Sequence, residues 1–385
     1  MDKPGAIIID GHVQGLAIAR SLGENGIPVI VVETRSGIAR HSRYCSNFFK
    51  CPDYLSNEFA DFLIELCIKK KLQDWSLYPS NDHAVYTISR NRDQLCKYYK
   101  IITTSFDIYK NIYNKNKSIK ICQRLGVDAP ATFFPEKYPI NNFNLKFPVI
   151  IKGIEGLSFY KSVGRKSLVA NNIYDLNERI YNVSRRIGLD KILIQEIIPF
   201  NEKNRVVSFT SFCEEGQVKC FWMGNKVREH PHRFGTATFC ESTYNPEIIE
   251  PASRFLHELD YTGVSEIEFL LDPRDGKFKF IEMNARTWLW VSLARRCGID
   301  FPLIIYNFLN SIKNDFPNGY PGNIKWVHIW TDLYYSIIGV LKNKYKFKEI
   351  LKSLKGEKEF AVFSLKDLNP FIFETIKLPY IALNR

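Results

Sequence analysis

Two segments constrain this chain more than any others: Glu266-Ile267-Glu268-Phe269 and Phe280-Ile281-Glu282-Met283-Asn284-Ala285-Arg286. Each alternates polar and apolar residues, the period of a strand with one face in a core. Asp272-Pro273-Arg274-Asp275-Gly276 lies between them and is rich in turn formers, so the pair predicts an antiparallel hairpin. That hairpin sets Glu268 beside Glu282 and Asn284, with Arg286 next along. Carboxylates held so close repel each other unless a cation lies between them. Two carboxylates and an amide oxygen form a hard donor set of the kind that holds Mg²⁺ against phosphates. The plainer alternative is a solvated acidic face. The Glu-x-Asn-x-Arg run opposite a second Glu argues against it.

The other end of the chain predicts a parallel sheet. Ala6-Ile7-Ile8-Ile9-Asp10 reads as a buried strand, residues 13–22 as a helix, and Val29–Glu33 as a second strand. This is a βαβ opening of α/β class. Gly11 and Gly15 match only part of a dinucleotide fingerprint, and a tight strand-to-helix turn accounts for them equally. A chain of 385 residues is long enough for two or three domains. Lys and Arg total 53 against 41 Asp and Glu, a formal charge of +12, which favours acidic partners. The aromatic residues show no nucleic-acid recognition pattern, so no nucleic-acid partner is expected. Nine cysteines without a Cys-x-x-Cys pair predict reduced thiols and a cytoplasmic protein. No apolar run is long enough to span a bilayer, so no integral membrane contact is expected.

Further candidates lie between these ends. Lys152 closes the apolar strand Val149-Ile150-Ile151, where an ammonium is costly unless an anion meets it. The segment Gly153–Lys166 reads as a polar loop able to fold over phosphates. Ile192-Leu193-Ile194-Gln195-Glu196-Ile197-Ile198-Pro199 is an apolar strand whose end can read an adenine edge through its backbone. Glu202 follows at a distance suited to ribose hydroxyls. Residues 222–238, with Lys226, Arg228, His230, His232 and Arg233, are dense in cations and small residues. The two histidines lack a third soft ligand at zinc spacing. Residues from about 300 onward read as helices. Lys342, Lys344, Lys346 and Lys348 there make either a solvated helix face or a seat on an anionic surface.

In order and spacing, these pieces resemble the ATP-grasp superfamily, on its carboxylate–amine ligase, D-aspartate-ligase-like branch. The resemblance runs from about residue 5 to about residue 310. It rests on Phe147–Lys152, Gln195–Pro199, Gly224–Arg228 with Phe234-Gly235-Thr236, Glu266–Phe269 and Glu282–Trp288. It implies an ATP-grasp fold with an N-terminal parallel-sheet pre-ATP-grasp domain (1–114), a small lid domain (115–200), a catalytic domain (201–310) and a helical extension (311–385). It implies ATP as cosubstrate, held by Lys115, Lys152, Gln195, Glu196, Ile197, Ile198 and Glu202. Mg²⁺ (or Mn²⁺) would be held by Glu268, Glu282 and Asn284, and catalysis served by Arg286, Arg228 and Lys226. The implied reaction joins a small-molecule carboxylate to an amine through an acyl phosphate, with ATP going to ADP. The competing reading is a nucleotide-binding regulatory or scaffold protein with the same fold and lost catalysis. A homodimer is open.

Overall fold

The computed structural model describes residues 3–141, 143–200, 204–230 and 235–383. Glu202, His232, Arg233 and Phe234 lie outside the described residues. The chain begins with the expected βαβ unit: β1 (Ala6–Ile9), α1 (Val13–Glu24) and β2 (Val29–Glu33). It continues through β3 (Cys45–Lys50), α2 (Glu58–Lys70), β4 (Trp75–Pro79), α3 (Asp82–Arg90), α4 (Arg92–Leu95) and β5 (Tyr99–Ile101). The sheet is parallel with order β3-β2-β1-β4-β5. Its central strand β1 is wholly apolar and fully buried between the cores on its two faces. A Cβ on Gly15 would lie 2.2 Å from the Asp10 carbonyl oxygen, so this glycine is required by the tight turn itself.

After α5 (Phe106–Tyr113) and α6 (Lys115–Leu125) comes a small antiparallel sheet of order β6-β9-β7-β8. It comprises β6 (Thr132–Phe133), β7 (Val149–Gly153), β8 (Ser167–Ala170) and β9 (Ile192–Glu196). The helix α8 (Ile173–Ile187) lays Leu176, Ile180 and Val183, spaced four and three apart, on this sheet. The expected polar loop at 153–166 is instead largely a helix, α7 (Gly156–Val163). Phe159 is the reason: it is fully buried in the same small core, and Gly164 at φ +76° ends the helix. Gly153 is required by this tuck, since a Cβ there would lie 2.3 Å from that of Phe159.

The third sheet has seven strands, in order β14-β13-β10-β11-β12-β15-β16. Five are long: β10 (Val206–Glu214), β11 (Gln217–His230), β12 (Thr236–Ser242), β13 (Gly263–Asp272) and β14 (Lys277–Asn284). The helix α9 (Ile249–Glu258) sits on one face, packing Phe255 and Leu256 against Phe209, Met223, Ile267 and Phe269. The helices α10 (Val291–Arg296) and α11 (Phe301–Leu309) follow. Trp222, Trp288, Trp290 and Phe301 share a core with Leu16 and Ile18 of α1, so the first and third sheets are packed together. Gln14 reinforces the junction by donating to the Thr287 carbonyl at 2.7 Å.

The tail is not purely helical. Its helices α12 (Ile329–Leu341), α13 (Phe347–Ser353) and α14 (Asn369–Leu383) alternate with short strands β15 (Lys325–Val327) and β16 (Lys358–Phe360). The apolar alternation of these strands is only three residues long, too short to read as a period. Backbone pairing of β15 to β12, and of β16 to β15, makes them part of the third sheet.

Candidate active site

A cavity of about 1330 Å³ opens where the three sheets and the tail meet. Its floor is the predicted hairpin. The strands β13 and β14 pair with Glu268 opposite Glu282 and Glu266 opposite Asn284. Ser208 of β10 pairs with Glu268, while Ile267 and Phe269 point into the core on the other face. A bulge follows Glu268, a device that locally re-aims side chains.

The acidic patch is compensated from three sides. Lys226 Nζ lies 2.5 Å from Glu268 Oε1, Ser208 donates to Glu266 Oε1 at 2.8 Å, and Asn284 Nδ2 donates to Glu266 Oε2 at 3.0 Å. Burial, aided by the Glu268 charge, pushes the Glu266 carboxyl up to about 7. Glu282 moves the other way. Burial alone would raise it, yet Lys115, Lys152 and Lys226 outweigh that and hold it low. The Lys226 ammonium, penalised by burial, is nonetheless held well above its usual range by Glu268 and Glu266.

Lys152 and Lys115 also line the cavity. Lys152 lies one residue before the end of β7, and its ammonium donates to Gln195 Oε1 at 2.9 Å. Gln195 in turn donates to Thr132 Oγ1 at 3.0 Å. Burial, with Lys115 as the next cause, lowers Lys152 to about 8, against the pull of Glu282 and Glu268. Two neighbouring cations in a part-buried site form a seat for an anion. Lys115 opens α6, and its Nζ lies 3.6 Å from where a Cβ on Gly156 would stand, beside the first turn of α7.

The remaining candidates among the described residues line the cavity, but several are already engaged. Glu196 accepts from Ala131 N at 2.8 Å and from Arg274 at 2.7 Å, tying the small sheet to the hairpin turn. Its carboxyl is held low despite burial, chiefly by the Arg274 hydrogen bond. The side chain is therefore spoken for, whereas Ile197 and Ile198 reach the cavity beside it. Arg286 makes a two-pronged ion pair with Asp82 at the start of α3, at 2.7 and 3.0 Å, and so locks the first sheet to the third. Arg228 departs furthest from expectation. It is 5 % exposed, lies 4.1 Å over the Phe239 ring, and gives both prongs of its guanidinium to Asp332 of α12 at 2.8 and 2.6 Å. Its third donor goes to Ser353 of α13. A guanidinium so bound holds the tail on the sheet.

Sequence reasoning did not single out Asp82, Asp332 or Glu266 as functional. The Ser80-Asn81-Asp82 turn looks like an ordinary helix start, and Asn81 does cap α3 by accepting from Ala84 N. Asp332 is in a helix with no polar run around it. Only Glu266 carried a signal, the i, i+2 spacing to Glu268 that puts both on one face. Among the described residues no group of three or more His, Cys, Asp or Glu could hold a metal. Mg²⁺ asks for less than that, one or two carboxylates with phosphates and water completing its shell, and Glu268, Glu282 and the Asn284 oxygen fit that need.

A parallel sheet, a small antiparallel sheet and a carboxylate hairpin at their junction make up an ATP-grasp fold. Residues 222–302 match the carbamoyl-phosphate synthase L chain, ATP binding domain. The D-aspartate ligase of Enterococcus faecium is 26% identical over 231 residues, which are 56% of this chain and 54% of that enzyme, so the match spans about half of the relative's length. Among solved structures, the L-amino acid ligase from Bacillus licheniformis matches with TM-score 0.63 at 16% identity, over 80% of this chain and 75% of that one. The biotin carboxylase domain dimer of the Hydrogenobacter thermophilus 2-oxoglutarate carboxylase, solved with MgADP, ADP and bicarbonate, matches with TM-score 0.63 at 15% identity, over 83% and 73%. The chain has the ATP-grasp fold, and in sequence it is similar to the D-aspartate ligase and, over residues 222–302, to the carbamoyl-phosphate synthase ATP binding domain.

Proposed function

We propose that this protein is an ATP-dependent carboxylate–amine ligase that forms an amide bond through an acyl phosphate, releasing ADP and phosphate. The observation that carries the reading is the facing of Glu268 and Glu282 by Lys115 and Lys152 across one cavity. ATP would lie between the small sheet and the third sheet. Its adenine would be held by the backbone of Ile197 and Ile198, with Gln195 steadying Lys152 beside the phosphates. Glu268, Glu282 and Asn284 would hold Mg²⁺, which when bound spreads the charge of the transferring phosphoryl group. The rest falls to the chain's own residues. Lys152 and Lys115 bind phosphate oxygens, and Arg286, fixed by Asp82, presents its charge at the far wall. Lys226, held at the mouth of the carboxylate patch by Glu268, would steady the substrate acid. Arg228 acts as a positioning residue through Asp332. Phosphoryl transfer asks for positioning and charge neutralisation, and no covalent nucleophile is needed.

The test is ADP release across a panel of acids and amines. ADP formation that depends on both an acid and an amine supports the reading. A second reading, a nucleotide-binding regulatory protein, draws on the engagement of Arg228 and Arg286 by aspartates. It predicts ATP binding without ADP release under any substrate pair.

A further inference from the structure

The tail helices carry their amphipathic pattern inside out. The face of α12 against the sheet is polar or small: Asp332, Ser336 and Gly339, at four- and three-residue spacing, are its buried positions. A Cβ on Gly339 would lie 2.2 Å from the Tyr345 ring, so this close approach requires glycine. The outward face is apolar, with Leu333 at 52 %, Ile337 at 53 % and Leu341 at 76 % exposure. The short helix α13 repeats the arrangement. Ile350 and Ser353 line the cavity, while Phe347, Leu351 and Leu354, spaced four and three apart, face solvent. Eleven of the nineteen large apolar side chains that are exposed among the described residues fall between 333 and 376. An apolar surface gathered in one region, in place of scattered single residues, marks an interaction site.

Charge identifies the occupant. Lys342, Lys348 and Lys355 are exposed along this same face, and no ion pair among the described residues involves them. The neighbouring carboxylates are already taken, Glu349 by Lys346 and Glu357 by Arg296. Apolar rows bordered by unpaired lysines are the pattern of helices that lie in the boundary of an anionic bilayer, burying Leu, Ile and Phe while the ammonium groups reach headgroup phosphates. A second copy of the chain would set the same lysines against one another across a two-fold axis. No helix among the described residues is long and apolar enough to cross a membrane, so the contact is with the surface.

We propose that the outward face of α12 and α13 docks on an anionic lipid bilayer. The inner side of the same segment, Asn343–Lys346 with Lys352 and Ser353, borders the large cavity. Docking therefore holds the cavity mouth at headgroup level, within reach of a lipid-anchored acid or amine. Docking does not depend on the ligase reading and is measured without turnover, so the two fail separately.

The experiment is co-sedimentation of the full chain with vesicles of phosphatidylglycerol and phosphatidylcholine, and with phosphatidylcholine alone, at low and physiological salt. The wild type is expected to sediment with the anionic vesicles only, more weakly as salt rises. Ile337→Glu with Leu351→Glu is expected to lower partitioning about a hundredfold, roughly tenfold for each buried side chain lost. Lys342→Glu with Lys348→Glu and Lys355→Glu is expected to lower it by about as much or more. Circular dichroism and Tm check that each variant is folded. Absence of wild-type binding at both salts overturns the proposal, as does binding that ignores the apolar substitutions. Light scattering that shows a dimer dissolved by Ile337→Glu and Leu351→Glu, without vesicle binding, assigns the face to a second copy instead.

Discussion

The hairpin β13–β14 and the tail after residue 325 both line one cavity, and they use charge in opposite ways. On the hairpin, buried carboxylates are compensated locally and incompletely. Lys226, Ser208 and Asn284 satisfy part of the patch, Glu266 is pushed toward neutrality, and Glu282 is kept ionised only by lysines of neighbouring elements. In the tail the buried charge is closed off. Asp332 takes two prongs of Arg228 and a hydrogen bond from Thr238 at 2.9 Å, and Asp367 takes Arg20, Ser42 and the Arg43 amide. A closed buried pair is a joint, since removing one partner strands the other charge in a low dielectric. An open cluster is a site, because its charge balance is completed by what binds. The difference separates residues that hold the molecule together from residues available for chemistry.

The largest effect is expected where the closed pair is broken. Asp332→Asn leaves the Arg228 guanidinium buried without its counter-charge and should destabilise the protein by about 3–5 kcal/mol. Urea unfolding followed by tryptophan fluorescence measures it, and a loss under about 1 kcal/mol would erase the contrast with the hairpin. Glu282→Gln should do the reverse. It should leave the unfolding midpoint nearly unchanged and lower substrate-dependent ADP release by roughly 10²–10³-fold, the scale of losing one charge-stabilising group in an active site. Excess chelator should have the same effect on the wild type. Lys152→Ala should weaken ATP binding by about 1–3 kcal/mol by calorimetry, the scale of a hydrogen bond to a charged group. Unchanged affinity would make Lys152 a structural strand end. The smallest effect is expected at Glu33, far from the hairpin. Burial, then the nearby Asp10 charge, raises its carboxyl to about 7. The native state therefore binds a proton there that the unfolded chain has already released, and stability falls as pH rises from about 4.5 to about 7. Glu33→Gln keeps an acceptor for the Gly11 and Gly37 amides, so its Tm gain over wild type should grow between pH 5 and pH 8. A gain independent of pH would refute the linkage.

What could be read in advance follows the same division. The hairpin was legible because strand alternation and a turn determine which residues share a face within twenty positions, and Glu268 does lie opposite Glu282. The βαβ opening was legible for the same local reasons. The partners of Arg228 and Arg286 were not, because Asp332 is 104 positions away and Asp82 is 204, and no local period links them. The helix α7 was hidden by its flanking glycines. Gly153 and Gly164 suggested a loop, whereas one serves the packing of Phe159 and the other caps the helix. The strands β15 and β16 are specified by edge pairing, which three residues cannot announce.

The central claim is that the open cluster activates an acid by phosphorylation, and hydroxylamine trapping tests it most directly. The protein is incubated with ATP, Mg²⁺, hydroxylamine and each acid of a panel, and both nucleotide and acid products are identified. The account predicts, for the correct acid, a hydroxamate formed together with ADP and phosphate, and neither product with Glu282→Gln. Formation of the hydroxamate with AMP and pyrophosphate would mean activation by adenylation and would contradict it.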